Sequence, residues 1–234
     1  MNNKYTEILR KYFPEASLPY VLKCFSDYTF SLKISRTRKT KMGDYTHPFK
    51  DKGHRITVNH DLNKYAFLIT FIHELAHLTA YEKHKNRVAP HGKEWKTDFI
   101  TLMKPVLNEE VFPADLIKEI NSYFQNPAAS SCTDINLYRA LRKYDNLNGY
   151  DLLENIPEHS VFALPDGRTF LKGKQLRKRF FCRLLPTNKN YFINPLAKVK
   201  LVSEAIFWNS AKLNTPVVKI FYNKNFLKYF LLEI

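Results

Sequence analysis

The segment His73-Glu74-Leu75-Ala76-His77 sets two imidazoles four residues apart, with a carboxylate directly after the first. On a helix, positions i and i+4 lie on one face, a turn apart. Two imidazoles so placed can hold one zinc ion at about 2.0–2.1 Å each. Glu74 then projects from a neighbouring position, near enough to reach a water beside the metal without itself being a ligand. That is the H-E-x-x-H arrangement of metal-assisted peptide hydrolysis, with His73 and His77 as ligands and Glu74 as general base.

The surrounding residues must make the helix. Ahead of the motif, Tyr65-Ala66-Phe67-Leu68-Ile69-Thr70-Phe71-Ile72 is nearly all apolar; after it come Leu78, Thr79, Ala80 and Tyr81. No Gly or Pro interrupts residues 66–81, so the stretch reads as one buried helix, with Asp61 or Asn63 available as its cap. Histidines and a glutamate in such a helix are costly unless paired or metal-bound. The competing reading is a pair of core histidines with hydrogen-bonded partners.

A catalytic zinc needs three protein ligands and an open position. His84 lies seven residues past His77, and reaching the same ion would take a sharp reversal without glycine. His91 follows Pro90 and precedes Gly92 at the mouth of the next helix, where a helix-loop-helix reversal can bring it back over the metal. Glu94 stands about one turn further on. His91 is favoured, then Glu94, then His84.

Upstream, Tyr5, Ile8, Leu9 and Tyr12 have helical spacing and Pro14 ends the run. Ser17-Leu18-Pro19 reads as an N-cap with proline in the first turn of a short helix. Residues 29–36 alternate as a half-buried strand, a short strand is expected near 41–46, and Arg55–Asn59 forms another with Ile56 and Val58 inward. Downstream, an apolar stripe of Trp95, Phe99, Leu102, Met103 and Val106 predicts a helix over 92–106, and residues 113–124 predict another. Residues 126–131 read as linker, and 134–144 as a brief helix. From about residue 157 the pattern changes to short strands: a hairpin around Pro165-Asp166-Gly167, then strands at 180–185 and 191–193.

His73-Glu74-Leu75-Ala76-His77, followed by Arg87-Val88-Ala89-Pro90-His91-Gly92-Lys93-Glu94-Trp95, resembles the metalloprotease core of SprT-like proteins, which include the bacterial SprT proteins and the Spartan-type DNA–protein crosslink proteases. The resemblance spans roughly residues 5–125. It implies that His73, His77 and His91 are the zinc ligands and Glu74 the catalytic base. It also implies a minimal zincin fold, with the active helix under an edge strand that receives substrate and Val58 to His60 on or beside that edge. Many members carry a C-terminal zinc ribbon built on cysteine pairs. Here Cys132, His159 and Cys182 are not spaced for one.

The expected architecture is therefore α+β: a zincin-like core at 1–125, a linker and short helix at 126–156, a small basic β module at 157–202, and an apolar tail at 203–234 without an assigned role. Cys24, Cys132 and Cys182 form no C-x-x-C pair, which argues against a disulfide framework and fits a reducing compartment. The N-terminus lacks a signal-peptide apolar region and no apolar run reaches about 18 residues, so the expectation is a cytoplasmic protein with no membrane partner.

The net charge is +15, and residues 161–200 hold ten Lys/Arg against one acid, Asp166. So dense a cluster of cations favours a polyanion, most simply DNA. The candidate contacts are Lys172, Lys174, Arg177, Lys178, Arg179 and Arg183. Phe180, Phe181 and Tyr191 could stack on unpaired bases, although core positions suit them better. The combined reading is a zinc metalloendopeptidase cleaving proteins at or near DNA. The alternative is a nucleic-acid-binding protein with a structural zinc or an idle protease site.

Overall fold

The computed structural model describes residues 3–38, 41–125, 134–203, 206–207 and 218–219. The chain divides into two units, residues 1–146 and 147–234. The first contains α1 (Asn3–Tyr12), α2 (Leu18–Asp27), β1 (Ser31–Ser35), β2 (Gly43–Thr46), β3 (Arg55–Asn59), α3 (Lys64–His84), α4 (Lys93–Met103), α5 (Ala114–Phe124) and α6 (Ile135–Arg142).

The three strands form a sheet in the order β1-β3-β2, with β1 parallel and β2 antiparallel to β3. The edge strands are therefore β1 and β2, and β2 is the one whose Gly43 lies against Glu74 of α3. Val58 and Asn59 lie on the central strand, directly beside the edge strand β2, with Val58 in register with Gly43. Ile56 and Val58 are fully buried as their alternation predicts, but Thr57 and Asn59 on the opposite face are buried too. Asn59 tolerates this because its side chain is satisfied: Nδ2 donates to Lys41 O at 2.9 Å and Oδ1 accepts from Arg38 Nε at 2.8 Å.

The motif helix α3 is buried along nearly its whole length, from Ala66 to Ala80. Phe13 meets Phe67 and Phe71 edge-to-face at 5.0 and 5.3 Å, fixing α1 against it. Asn63 is the cap: its Oδ1 accepts from Ala66 N at 3.0 Å, while its Nδ2 donates to Leu141 O and Asp145 Oδ1. Ser17 does not cap α2 with its side chain; its hydroxyl instead donates back to Pro14 O at 2.7 Å.

The short helix expected beyond the core, α6, belongs to the first unit. Its Leu137, Ala140 and Leu141 are buried in the same core as α3. A helix of eight residues has too few hydrogen bonds to stand alone and is held by packing of its apolar stripe.

The second unit contains β4 (Asp151–Leu152), β5 (Val161–Ala163), β6 (Thr169–Leu176), β7 (Arg179–Leu184), β8 (Asn190–Ile193), β9 (Lys198–Ser203), β10 (Ile206–Phe207) and β11 (Val218–Lys219). The first six form an antiparallel sheet in the order β4-β9-β5-β6-β7-β8, and β10 pairs with β11. Its core holds Leu153, Ile156, Phe162, Phe170, Phe180, Cys182 and Val199. The sheet thus begins at residue 151, before the expected start of the module, because β4 pairs with β9. The linker at 126–131 and most of the tail lie outside the described residues. Among the described residues no helix is long and apolar enough to cross a membrane.

Candidate metal centre

His73 and His77 stand one turn apart on α3, and the loop after it returns His91 between them. The Nε2 of His91 lies 2.9 Å from that of His77 and 3.2 Å from that of His73. Each imidazole nitrogen has a single in-plane direction for a proton or a lone pair. His91 Nε2 therefore cannot hydrogen-bond in line to both neighbours, whereas one cation among the three uses all three lone pairs. Ligand atoms about 2.0–2.1 Å from a tetrahedral zinc lie roughly 3.3 Å apart, close to the spacing found here. The donor set, three neutral nitrogens with no carboxylate, also suits zinc.

Burial keeps the imidazoles neutral. His73 is held well below the usual histidine range by burial and then by its two neighbours. His77 is pushed down to about 4 by burial and His91, and His91 is lowered by burial alone. Neutral imidazole is the form that binds metal.

Backbone geometry delivers His91. Its φ of 60° is left-handed, a conformation that histidine reaches more readily than most residues at a cost on the order of 1 kcal/mol. Gly92 completes the turn, its N–H donating to Ala89 O at 2.9 Å. A Cβ at position 92 would stand 2.9 Å from that same carbonyl, so the close approach requires glycine. Of the other candidate ligands, Glu94 lies in the first turn of α4 and His84 ends α3; neither joins the cluster.

Trp95 forms the floor. Its ring centroid is 4.6 Å from that of His73, 4.7 Å from His91 and 5.4 Å from His77, and it stacks on Phe99 at 5.2 Å. Asp98 fastens α4 to α3, accepting from Thr79 Oγ1 at 2.9 Å and from Lys83. An open cleft of about 440 Å³ adjoins His91, lined in part by Lys93, Ile100 and Phe124.

Glu74 is buried next to His73, under β2. The backbone N–H of Tyr45 donates to its carboxylate, and burial, reinforced by Asp44, lifts its pKa to about 8. Tyr45 also lies parallel to the His77 ring, 7° between planes and 6.4 Å between centroids. Its hydroxyl is 2.6 Å from His54 Nδ1, and His54 Nε2 is 2.7 Å from Glu82 Oε1. Tyr45, His54 and Glu82 were not singled out from sequence. Their meeting depends on β2 lying over α3, which no local spacing reveals. Asp98 did leave a signal, as an acid inside the stripe of Trp95, Phe99 and Leu102.

The basic residues of the second unit do not act as one set. Lys172 is buried, and its ammonium donates to Leu153 O at 2.7 Å and Ile156 O at 2.5 Å while lying over the Phe180 ring. It is a structural lysine, which corrects its placement among the nucleic-acid contacts. Lys174, Arg177, Lys178 and Arg179 are exposed and Arg183 is partly so.

A buried H-E-x-x-H helix, a third histidine returned by the following loop and an edge strand above them define a zincin-like core. Residues 5–113 match the family model of SprT-like proteins, which supports the chain's membership in the SprT-like family. No curated protein and no solved structure matches it. The family is in general one of zinc metallopeptidases, and the histidine cluster could hold the metal that this implies.

Proposed function

We infer that the protein is a zinc-dependent endopeptidase of SprT type and that it cleaves proteins at or near DNA. The observation that carries the hydrolytic part is the convergence of the three Nε2 atoms of His73, His77 and His91 beside the buried carboxylate of Glu74. Three nitrogen ligands leave a coordination position open, the pattern of a catalytic rather than a structural zinc. Zinc held there would polarise a scissile carbonyl and draw the pKa of a water toward about 7.

Glu74 takes the proton from the attacking water and returns it to the departing amine nitrogen. The edge strand β2 offers main-chain groups to an extended substrate, which adds as a further strand above α3. The cleft beside His91 accommodates a substrate side chain.

The DNA half of the reading is supported by the cations of residues 161–200. The test is to incubate the protein, loaded with one equivalent of zinc, with an unfolded DNA-binding protein, with and without DNA. Chelator-sensitive cleavage that DNA accelerates is expected. No cleavage in either condition removes the protease, and cleavage indifferent to DNA removes the DNA half.

A further inference from the structure

Tyr45 meets α3 through three different groups. Met42 O accepts from Asn59 N at 2.8 Å, and Gly43 and Tyr45 pair in register with Val58 and Ile56. Hydrogen-bonded pairs alternate along an antiparallel ladder, so the Tyr45 N–H turns away from β3 toward the open side of β2. Its acceptor there is the carboxylate of Glu74. The ring lies parallel to that of His77, with 7° between planes. At the far end of the side chain the hydroxyl is 2.6 Å from His54 Nδ1, and His54 Nε2 is 2.7 Å from Glu82 Oε1. A carboxylate only accepts, so Nε2 of His54 carries a proton, and Nδ1 in that tautomer accepts from the tyrosine hydroxyl.

Glu74, His77 and Glu82 follow one another along α3, and the two glutamates are eight residues apart, about 12 Å along the helix axis. We propose, on the hydrolytic reading of this site, that Tyr45 is a positioning residue. With His54 and Glu82 it pins the edge strand β2 to α3 on both sides of the metal centre, so that its ring confines His77 and its N–H confines Glu74. The hydroxyl is already committed to His54 at the Glu82 end of this span. It therefore acts through the strand and does not touch a substrate atom.

The strand needs such a tie. It is four residues long and pairs with β3 alone. By alternation Gly43 and Tyr45 face α3, while Asp44 and Thr46 face away. Asp44 is held on that other face by Arg38 and Lys41, and Thr46 accepts from Arg55. Gly43 gives close contact but has no side chain to bond with. Tyr45 is thus the residue of β2 whose side chain can fasten the strand to the helix. Without its hydroxyl the strand is free to slide over Glu74, and a slip of about 1 Å is enough to cost up to roughly a hundred-fold in rate.

The test compares full-length Tyr45→Phe, Tyr45→Leu, Glu82→Ala and Glu82→Gln with the parent, with circular dichroism to confirm that each is folded. Hydrogen exchange of residues 43–47 in the zinc-loaded protein should be several-fold faster in Tyr45→Phe and Glu82→Ala. It should return toward the parent rate in Glu82→Gln, whose amide oxygen still accepts from His54. Zinc affinity, read by competition with a chromogenic chelator, should stay within a few-fold of the parent in Tyr45→Phe. It should fall about 10–100-fold in Tyr45→Leu, which lacks the ring. Peptide cleavage should lose about ten-fold in kcat, with KM nearly unchanged, in Tyr45→Phe, in Glu82→Ala and in their double variant alike, because hydroxyl and carboxylate act through one chain of bonds. Parent-like exchange and kcat in Tyr45→Phe overturn the proposal. So does parent-like zinc affinity in a folded Tyr45→Leu protein, and so do losses from the two single variants that add in the double. A parent that cleaves nothing removes the hydrolytic function, while exchange and zinc affinity still decide whether Tyr45 pins the strand.

Discussion

Gly43 on β2 lies directly against Glu74. A Cβ at position 43 would stand 2.8 Å from Glu74 Oε1 and 2.6 Å from Thr70 Cγ2, closer than real side chains approach. The edge strand and the base-bearing helix are therefore packed to backbone contact at the point of chemistry. Gly43→Ala must displace either β2 or the carboxylate, and a shift of about 1 Å costs up to roughly a hundred-fold in rate. The variant should bind zinc as the parent does and lose ten- to a hundred-fold in kcat, read by metal analysis and turnover on one sample. Unchanged turnover would show that Gly43 does not set the position of Glu74.

The third ligand is tested by subtraction. His91→Ala should weaken zinc binding by more than the 10–100-fold typical of losing a residue that only supports a ligand. Glu94→Ala and His84→Ala should leave the affinity within a few-fold of the parent. Competition with a chromogenic chelator measures all three, and loss of zinc in Glu94→Ala would reassign the ligand.

The metal-free protein should be acid-sensitive. His77 titrates near 4 when folded and near 6.5 when unfolded, and His73 is shifted in the same direction. Between those values the unfolded chain binds protons that the folded one does not, so stability falls as pH drops. Their contribution is fully present above about pH 6.5 and is lost progressively toward pH 4. In the Glu74→Gln protein, which lacks the opposing titration of that raised carboxyl, thermal melts of chelator-treated samples should show Tm declining through that window, with a shallower decline when His77→Asn is added. A profile flat from pH 7 to 5 would contradict the burial of these imidazoles.

Lys172 should behave as a core residue. Replacing it with Met leaves the carbonyls of Leu153 and Ile156 without their donor, at a cost of about 1–3 kcal/mol. Chemical denaturation followed by a probe in the second unit reads the loss. Stability equal to the parent's would mean that water satisfies those carbonyls.

What was legible in the sequence, and what was not, divides by range. The motif helix showed itself through sixteen residues, 66–81, without Gly or Pro, and the His91-Gly92 pair through its place at a helix mouth. Both signals are local. The order β1-β3-β2 is not local, so residues 58–60 could be placed on or beside the edge but β2 could not be identified as the edge strand over α3. Tyr45, His54 and Glu82 meet only once that strand is laid over α3. The strands β4 and β9 were missed because one is two residues long and the other carries lysines at alternate positions. Lys172 looked like its neighbours in composition, and only the register with Cys182 turns it inward. Phe181 and Phe192 were separable from Phe180 by alternation alone, yet which face was the core needed the whole sheet.

The central claim is that His73, His77 and His91 hold a zinc ion at which Glu74 acts as the base for peptide hydrolysis. Its most direct test measures zinc content and peptide-bond cleavage on the same samples of wild type and Glu74→Gln. The expectation is one zinc per chain in both, with cleavage in the variant reduced by about 10²–10⁴-fold or abolished. Cleavage persisting in zinc-loaded Glu74→Gln at the wild-type rate, free of contaminating protease, would contradict it.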